Sequence, residues 1–290
     1  MSNTIKIKQN TNQMENLKLF MNNKKEGLLH GEIEFLLTKH CNIKCASCQR
    51  FSPLADTWFE TIDNFTNLIN RIYTFFPDNI WKISLLGGEP LLHPDLLQFV
   101  EITRNKYKKA FVVLFTNGVL LDKKDEDFFE QLGKYSVNLR VTEYPEVNIN
   151  KEYIINMCNK YNIELELIHR DKFLISKLAS CKTEYNNFKH CKLQGKPPQM
   201  ADYQINSNGD FYFCYLAATV NILNKYFNLN YETIKNEDYV NIYEINDKKE
   251  ILSKLYKPIP FCNYCKANSN MEEVYWKKSE LKLEEWINDD

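Results

Sequence analysis

The sequence predicts an α/β protein built around a parallel sheet, and three observations predict it. Short runs rich in β-branched and aromatic residues alternate with segments of helical periodicity from Glu32 to about His169. Glycine- and cysteine-rich motifs fall directly after strand-like runs, where a parallel sheet carries its working residues. No repeat of fixed period appears, which excludes a solenoid.

The elements follow in order. Ile33 to Leu37 reads as a strand, and Ile62, Phe65, Ile69, Ile72 and Phe76 recur at helical spacing. Trp81 to Leu86 is a second strand. His93-Pro94-Asp95 opens the next helix, with proline early, where its missing N–H costs little. Phe111 to Phe115 is a third strand and Asp122 to Lys134 a helix. Val137 to Thr142 is a fourth strand, Lys151 to Tyr161 a helix, and Ile163 to Ile168 a fifth strand. Repeated strand–helix units imply a parallel sheet with helices outside it. Residues 1–30 are polar and read as an N-terminal arm or short helix. After Lys172 the pattern changes, and Ala201 to Tyr215 reads as a β-hairpin turning at Ser207-Asn208-Gly209-Asp210. The expected division is an arm at 1–30, a core at 31–175, and a small metal-stabilised module at 176–290 that ends in a helix.

Composition excludes several function classes. The 290 residues carry 37 basic and 38 acidic side chains, a net charge of −1, and no basic stretch, so no nucleic-acid partner is expected. No stretch approaches the roughly 20 apolar residues that cross a bilayer. Met1 to Asn12 has no apolar signal core. The expected location is cytoplasmic, with no membrane partner. In that compartment nine cysteines point to metal binding or redox chemistry, and their odd number argues against a closed disulfide set.

Cys41, Cys45 and Cys48 follow the first strand at the spacing C-x3-C-x2-C. Three thiolates from one loop can hold three irons of a cubic cluster, and the fourth iron stays open to an amino and a carboxylate group. Taken alone, the spacing also fits a zinc site or three core cysteines. The motif resembles that of the radical S-adenosylmethionine (SAM) superfamily. Phe51 lies near the aromatic position often found there, whereas Ser47 stands directly before Cys48. The resemblance implies a partial (β/α)6 barrel, a [4Fe–4S] cluster on these three cysteines, and SAM on the open iron. It also implies reductive cleavage of SAM to a 5′-deoxyadenosyl radical that abstracts a substrate hydrogen, with an external electron donor such as flavodoxin or ferredoxin.

Two further motifs stand at the next two strand ends. Gly87-Gly88-Glu89-Pro90 follows the second strand, and its glycines allow close backbone approach to a ligand. It resembles the family's GGEP motif, which implies that Glu89 accepts from the SAM amino group. Thr116-Asn117-Gly118 ends the third strand and resembles the family's TNG signature. At the fourth strand end, Arg140 or Thr142 is placed to face the SAM carboxylate and ribose. His169 and Arg170 end the fifth strand, where they are placed to face the pocket or to serve the structure alone.

The second cysteine set is Cys191, Cys214, Cys262 and Cys265. Cys214 closes the second hairpin strand, and Cys262-Asn263-Tyr264-Cys265 is a C-x2-C knuckle. Four thiolates suit zinc or a fully ligated iron–sulfur cluster. The layout resembles the SPASM or "twitch" extension of radical SAM enzymes, which implies a second, auxiliary [4Fe–4S] cluster. Cys181 is an alternative ligand to Cys191, or else a hydrogen donor to a substrate radical. Cys158 lies on the apolar side of a helix and reads as a core residue.

For the substrate, the favoured reading is a small molecule, such as a sugar or nucleotide-linked intermediate, that is epimerised, oxidised or rearranged. The alternative is maturation of a ribosomal peptide; thirty N-terminal residues are short for a leader-binding domain. No cobalamin domain is evident, and the C-terminal layout is not that of a glycyl-radical activase. A third reading, of a different class, is a non-catalytic zinc-binding interaction protein.

Overall fold

The computed structural model describes residues 4–7, 29–77, 79–183, 187–191, 202–266 and 272–288. Nine strands form the main sheet: β1 (Thr4–Ile7), β2 (Leu29–Thr38), β3 (Ile80–Gly87), β4 (Phe111–Thr116), β5 (Asn138–Glu143), β6 (Leu165–His169), β8 (Asp202–Ile205), β9 (Asp210–Tyr212) and β10 (Tyr239–Asn241). Their order is β1-β6-β5-β4-β3-β2-β8-β9-β10. The run from β6 through β2 to β8 is parallel throughout. The parallel sheet expected from the alternating pattern is therefore present. Two strands outside that sheet, β7 (Lys172–Ile175) and β11 (Glu272–Tyr275), pair antiparallel with each other.

The crossover helices are α1 (Ile62–Phe75), α2 (Leu96–Lys106), α3 (Glu126–Lys134) and α4 (Lys151–Lys160). Three start on side chains that accept from a backbone N–H two residues into the helix or beyond. Thr61 accepts from Asn64, Asp125 from Phe128 and Asn150 from Tyr153. Pro94 stands outside α2 rather than in its first turn, because Asp95 is the N-cap. The buried stripe of α1 is Phe65, Leu68, Ile69, Ile72 and Phe75.

Alternation along the strands sorts two environments. Ile33, Phe35 and Leu37 of β2 are buried in the apolar core under the helices. The intervening Glu32 and Glu34 point to the other face, where they meet Lys82, Ser84 and Arg50. The concave face of the sheet is thus polar, although it is buried.

Four expectations differ from what is observed. Thr4–Ile7 is a strand, paired antiparallel with β6, not a helix; most of the remaining N-terminal arm lies outside the described residues. The sheet does not break at residue 175, because β8 pairs in parallel with β2 through Glu32↔Asp202 to Phe35↔Ile205. A thirteen-residue helix, α5 (Tyr215–Phe227), follows the hairpin and buries Leu216, Val220 and Leu223. The C-terminal helix is only a 3-10 turn at Leu283–Glu285. Trp286 halts it, since its indole donates to the carbonyl of Cys48 at 3.0 Å and its ring is buried.

Candidate active site

The loop after β2 carries Cys41, Cys45 and Cys48, and all three line one cavity of about 350 Å³ at the C-terminal end of the parallel strands. Ser47 and Phe51 adopt left-handed backbone at φ 58° and 55°. These two positions curl the loop so that its three thiols meet a common space. Burial pushes Cys45 up to about 12 and raises Cys41 as well. A thiol so placed ionises against a strongly positive partner, which iron supplies.

The Gly-Gly-Glu-Pro segment is laced to this loop. Gly88 N–H donates to the Thr38 carbonyl and Glu89 N–H to the His40 carbonyl, each at 3.1 Å. A Cβ on Gly88 would lie 2.0 Å from the His40 oxygen, and one on Gly87 would lie 2.4 Å from the Thr38 oxygen. The glycines are therefore required for contact between two loops, not for an open cradle. Gly87 and Gly88 also line the cavity.

Glu89 is placed differently from the expectation. Its side chain is fully buried and outside the cavity lining. Oε1 accepts from Leu91 N–H (3.0 Å) and the Thr116 hydroxyl (2.7 Å), and Oε2 accepts from Asn117 N–H (2.8 Å). The carboxylate pins the third motif to the second. Burial raises its pKa to about 7, against the three donors that lower it.

Thr116 and Asn117 line the cavity. The Asn117 amide donates to Asn42 Oδ1 at 2.7 Å and lies 3.7 Å from Cys41 Sγ, tying β4 to the cysteine loop. Gly118 takes φ 78°, where a Cβ would strike Val141 at 2.7 Å. Thr142 is in the lining. Arg140 is not: it forms an ion pair with Glu166 and stacks on Phe115 at 5.0 Å, deeper in the barrel. Arg170 lines the cavity, whereas His169 binds Glu143 at 3.0 Å outside it.

The second set also comes together in part of the fold next to this cavity. Burial raises Cys214 strongly, and charge on Cys191, Cys265 or Cys262 would raise it further, so the four thiols lie within electrostatic reach of one another. Burial takes Cys262 to about 11, again with Cys265 and Cys191 acting on it. Cys214 caps the N-terminus of α5, whose dipole favours a thiolate. Cys181 is exposed and does not line the cavity. Cys158 is buried in the core, as expected.

Among the described residues, no three His, Cys, Asp or Glu side chains close around a single metal ion. A zinc ion draws its sulfurs to about 2.3 Å, whereas a cubane has its irons at separate corners and takes thiolates from further apart. In donor type and number, three thiols in the first set and four in the second suit iron–sulfur clusters.

Sequence reasoning assigned no role to four contributors. Trp276 donates its indole N–H to Cys45 Sγ at 3.1 Å and stacks on Tyr144. Tyr144 and Phe173 wall the cavity. Arg50, two residues after Cys48, reaches Glu34 at 2.6 Å and Gln204 at 2.9 Å and lies over the Tyr215 ring. Only Arg50 carried a signal, as a basic residue placed beside a cysteine motif.

Residues 35–160 match the model of the radical SAM superfamily. GTP 3′,8-cyclase of Helicobacter pylori (strain HPAG1) is 32% identical over 107 residues, 37% of this chain and 33% of that protein. The same enzyme of Aliarcobacter butzleri (strain RM4018) is 32% identical over 128 residues, 44% of this chain and 38% of that protein. The match thus spans little more than a third of these relatives. Among solved structures, BtrN in complex with AdoMet and 2-DOIA superposes with a TM-score of 0.54 at 15% identity, covering 84% of this chain and 97% of that one. AnSMEcpe with bound AdoMet gives a TM-score of 0.51 at 15% identity, covering 79% and 84%. At such identities the likeness is one of fold.

Proposed function

We propose that the chain is a radical SAM enzyme that acts on a small molecule by hydrogen abstraction, a reading supported by the match of residues 35–160 to the superfamily model. When bound, a [4Fe–4S] cluster and SAM supply the 5′-deoxyadenosyl radical that removes the hydrogen. The match of residues 35–160 to an enzyme superfamily favours this reading over a non-catalytic zinc protein.

The chain's own residues divide the remaining work. Cys41, Cys45 and Cys48 would hold the cluster. Gly87, Gly88, Thr116, Asn117 and Thr142 line the cavity and would bind SAM there. Glu89 acts through Thr116 and Asn117 as a positioning residue. Phe115, Tyr144 and Phe173 line the cavity and keep water and stray hydrogen donors from the reacting atoms. Cys191, Cys214, Cys262 and Cys265 would hold the auxiliary cluster, and Tyr215, next to Cys214 in the chain, lines the cavity.

One observation carries this reading. Three motifs from three consecutive strand ends interlock around the cysteine loop through Glu89 and Asn117. The outcome for the substrate, whether epimerisation, oxidation or rearrangement, is left to the reaction products. Anaerobic reconstitution should give a brown protein with about eight irons per chain. With a flavodoxin or ferredoxin donor it should release 5′-deoxyadenosine from SAM. A colourless protein that leaves SAM intact overturns the proposal, and about four irons would remove the auxiliary cluster alone.

A further inference from the structure

Arg170 follows β6 and lines the cavity that also holds the three cysteines. The backbone here is fixed. Arg170 N–H donates to the Glu143 carbonyl at 2.9 Å, and Trp276 N–H donates to the Asp171 carbonyl at 2.7 Å. The side chain is exposed, and among the described residues no hydrogen bond or ion pair holds its guanidinium. Acids on the neighbouring strands are engaged elsewhere: Glu143 by Lys151 and His169, Glu166 by Arg140, and Glu273 by Lys172. Asp171 does not line the cavity. An exposed arginine is ordinarily a solvated surface charge. This one stands in a cavity wall with Tyr144 and Phe173, close enough to act on the Tyr144 phenol. Tyr144 in turn stacks on the Trp276 ring that reaches Cys45.

Charge says what such a guanidinium would hold. Apart from the cysteines, the other charged side chains of the lining are Glu34 and Arg50. Arg50 donates to Glu34 and to Gln204, and burial pushes Glu34 toward its protonated form. If Glu34 is ionised, the two cancel and Arg170 leaves a surplus of one positive charge. If Glu34 is protonated, the wall is more positive still. Asp202 lies outside the lining, and burial takes it up to about 8, so it is mostly neutral at pH 7. The three thiolates are balanced by the iron they would hold. The sign of the wall is thus set by Arg170, and its planar fork of donors matches a carboxylate or a phosphate.

SAM also carries a carboxylate. In the sheet, however, the glycines of β3, Thr116 and Asn117 after β4, and Thr142 on β5 all come from strands nearer the cysteine loop than β6. Arg170 stands one strand further and is exposed, at the mouth, where a second ligand enters. We propose that Arg170 is a substrate-recognition residue, and that the substrate is a small molecule bearing an oxyanion, a carboxylate or a phosphate, that the guanidinium holds. This rests on the reading of the cavity as the active site of a radical SAM enzyme.

The test uses the anaerobically reconstituted holoenzyme with saturating SAM and four probes of similar size: D-glucose 6-phosphate, D-gluconate, D-glucose and D-glucosamine. Binding is followed by equilibrium dialysis. At least one of the two anions should bind about tenfold or more tighter than D-glucose and D-glucosamine. Arg170→Gln should abolish that preference while leaving iron content and the affinity for SAM within about twofold of the parent. Lys172→Gln, which removes an exposed positive charge two residues away, should leave the preference in place. Equal binding of the four probes, a preference for D-glucosamine, or no binding at millimolar concentration would each overturn the proposal. So would a preference that survives Arg170→Gln, or one that Lys172→Gln removes equally, which would make it a general surface charge effect. A tenfold loss of SAM affinity in Arg170→Gln would assign the guanidinium to the cofactor carboxylate and also overturn it. Release of 5′-deoxyadenosine is measured in parallel. Its failure would count against the enzyme reading, whereas absence of the anion preference with SAM cleavage intact counts against this inference alone.

Discussion

Glu89 is a fully buried carboxylate whose two oxygens take three hydrogen bonds. Burial nevertheless wins, and its pKa rises from the ordinary 4.5 to about 7. The folded protein therefore holds this proton more tightly than the unfolded chain does. The contribution to stability is fully present below pH 4.5 and is lost as pH rises through about 7. Between those limits this one group costs on the order of 3 kcal/mol. Glu34 and Asp202 are raised too and act in the same direction. The test is thus a difference: Glu89→Gln should gain stability relative to the parent apoprotein between pH 5 and pH 8, read from urea midpoints. A pH-independent difference would mean that Glu89 ionises normally. Glu89→Ala should lose several kcal/mol at any pH, since it orphans two backbone N–H groups and one hydroxyl at about 1–3 kcal/mol each. The motif was legible in the sequence, but the direction of its side chain was not. Gly-Gly-Glu-Pro announces a strand end near the cysteines. Whether the carboxyl faces ligand or neighbour depends on Thr116, which is 27 residues away and reaches it only in the folded chain.

At the scale of elements, the cysteine loop is held from two sides. On one side, Gly88 lets the end of β3 touch its backbone. Gly88→Ala must separate the two loops, because the new Cβ meets backbone atoms that cannot swing away. The expected result is a loss of cluster incorporation in a chain that still folds, measured as iron per chain and circular dichroism. On the other side, the segment after β11 straps the loop. Ala46 N–H donates to the Lys277 carbonyl, Ser279 N–H to the Lys44 carbonyl, and the Trp276 indole to Cys45 Sγ. Hydrogen bonds to cluster sulfurs favour the reduced, more negative state. Trp276→Phe keeps the stacking on Tyr144 and removes one donor. With about 1 kcal/mol for the bond, the midpoint potential of the Cys41/Cys45/Cys48 cluster should fall by roughly 40 mV. Electron paramagnetic resonance titration reads it, with iron content as control. An unchanged potential would make the contact purely structural. The order of strands, helices and motifs could be read because each is a local pattern of hydrophobic period or turn residues. The strap could not, since Trp276 and Cys45 are 231 positions apart. Helix α5 is harder to read for a different reason: Cys214 is both the end of a hairpin and the N-cap of the helix, so the spacing of Leu216, Val220 and Leu223 begins without a turn before it.

For the whole molecule, the question is whether the cysteine-rich C-terminal part is a separate domain, as its change of pattern suggests. Four kinds of contact say that it is not. β8 extends the barrel sheet by pairing with β2. The strap from β11 joins the first cysteine loop, and Trp286 is buried with its indole on the Cys48 carbonyl. Arg50 of the first half reaches Gln204 and Tyr215 of the second. Apolar residues from both halves, among them Ile33, Phe51, Phe211 and Leu223, belong to a single core cluster. Removing the second half would expose one edge of β2 and leave Arg50 and Glu34 without their neighbours, a heavy burden for what remains. The apoprotein should therefore unfold in one cooperative transition. The four tryptophans allow a clean measurement, because Trp58 and Trp81 lie in the first half and Trp276 and Trp286 in the second. In a Trp58→Phe/Trp81→Phe variant, indole fluorescence reports only the C-terminal part, while circular dichroism is dominated by the helices and strands of the barrel. The two urea curves should share one midpoint and one slope. Two separated midpoints, with fluorescence changing first, would show that the C-terminal part opens on its own. The Trp276 bond to Cys45 would then be a latch and not part of a continuous fold.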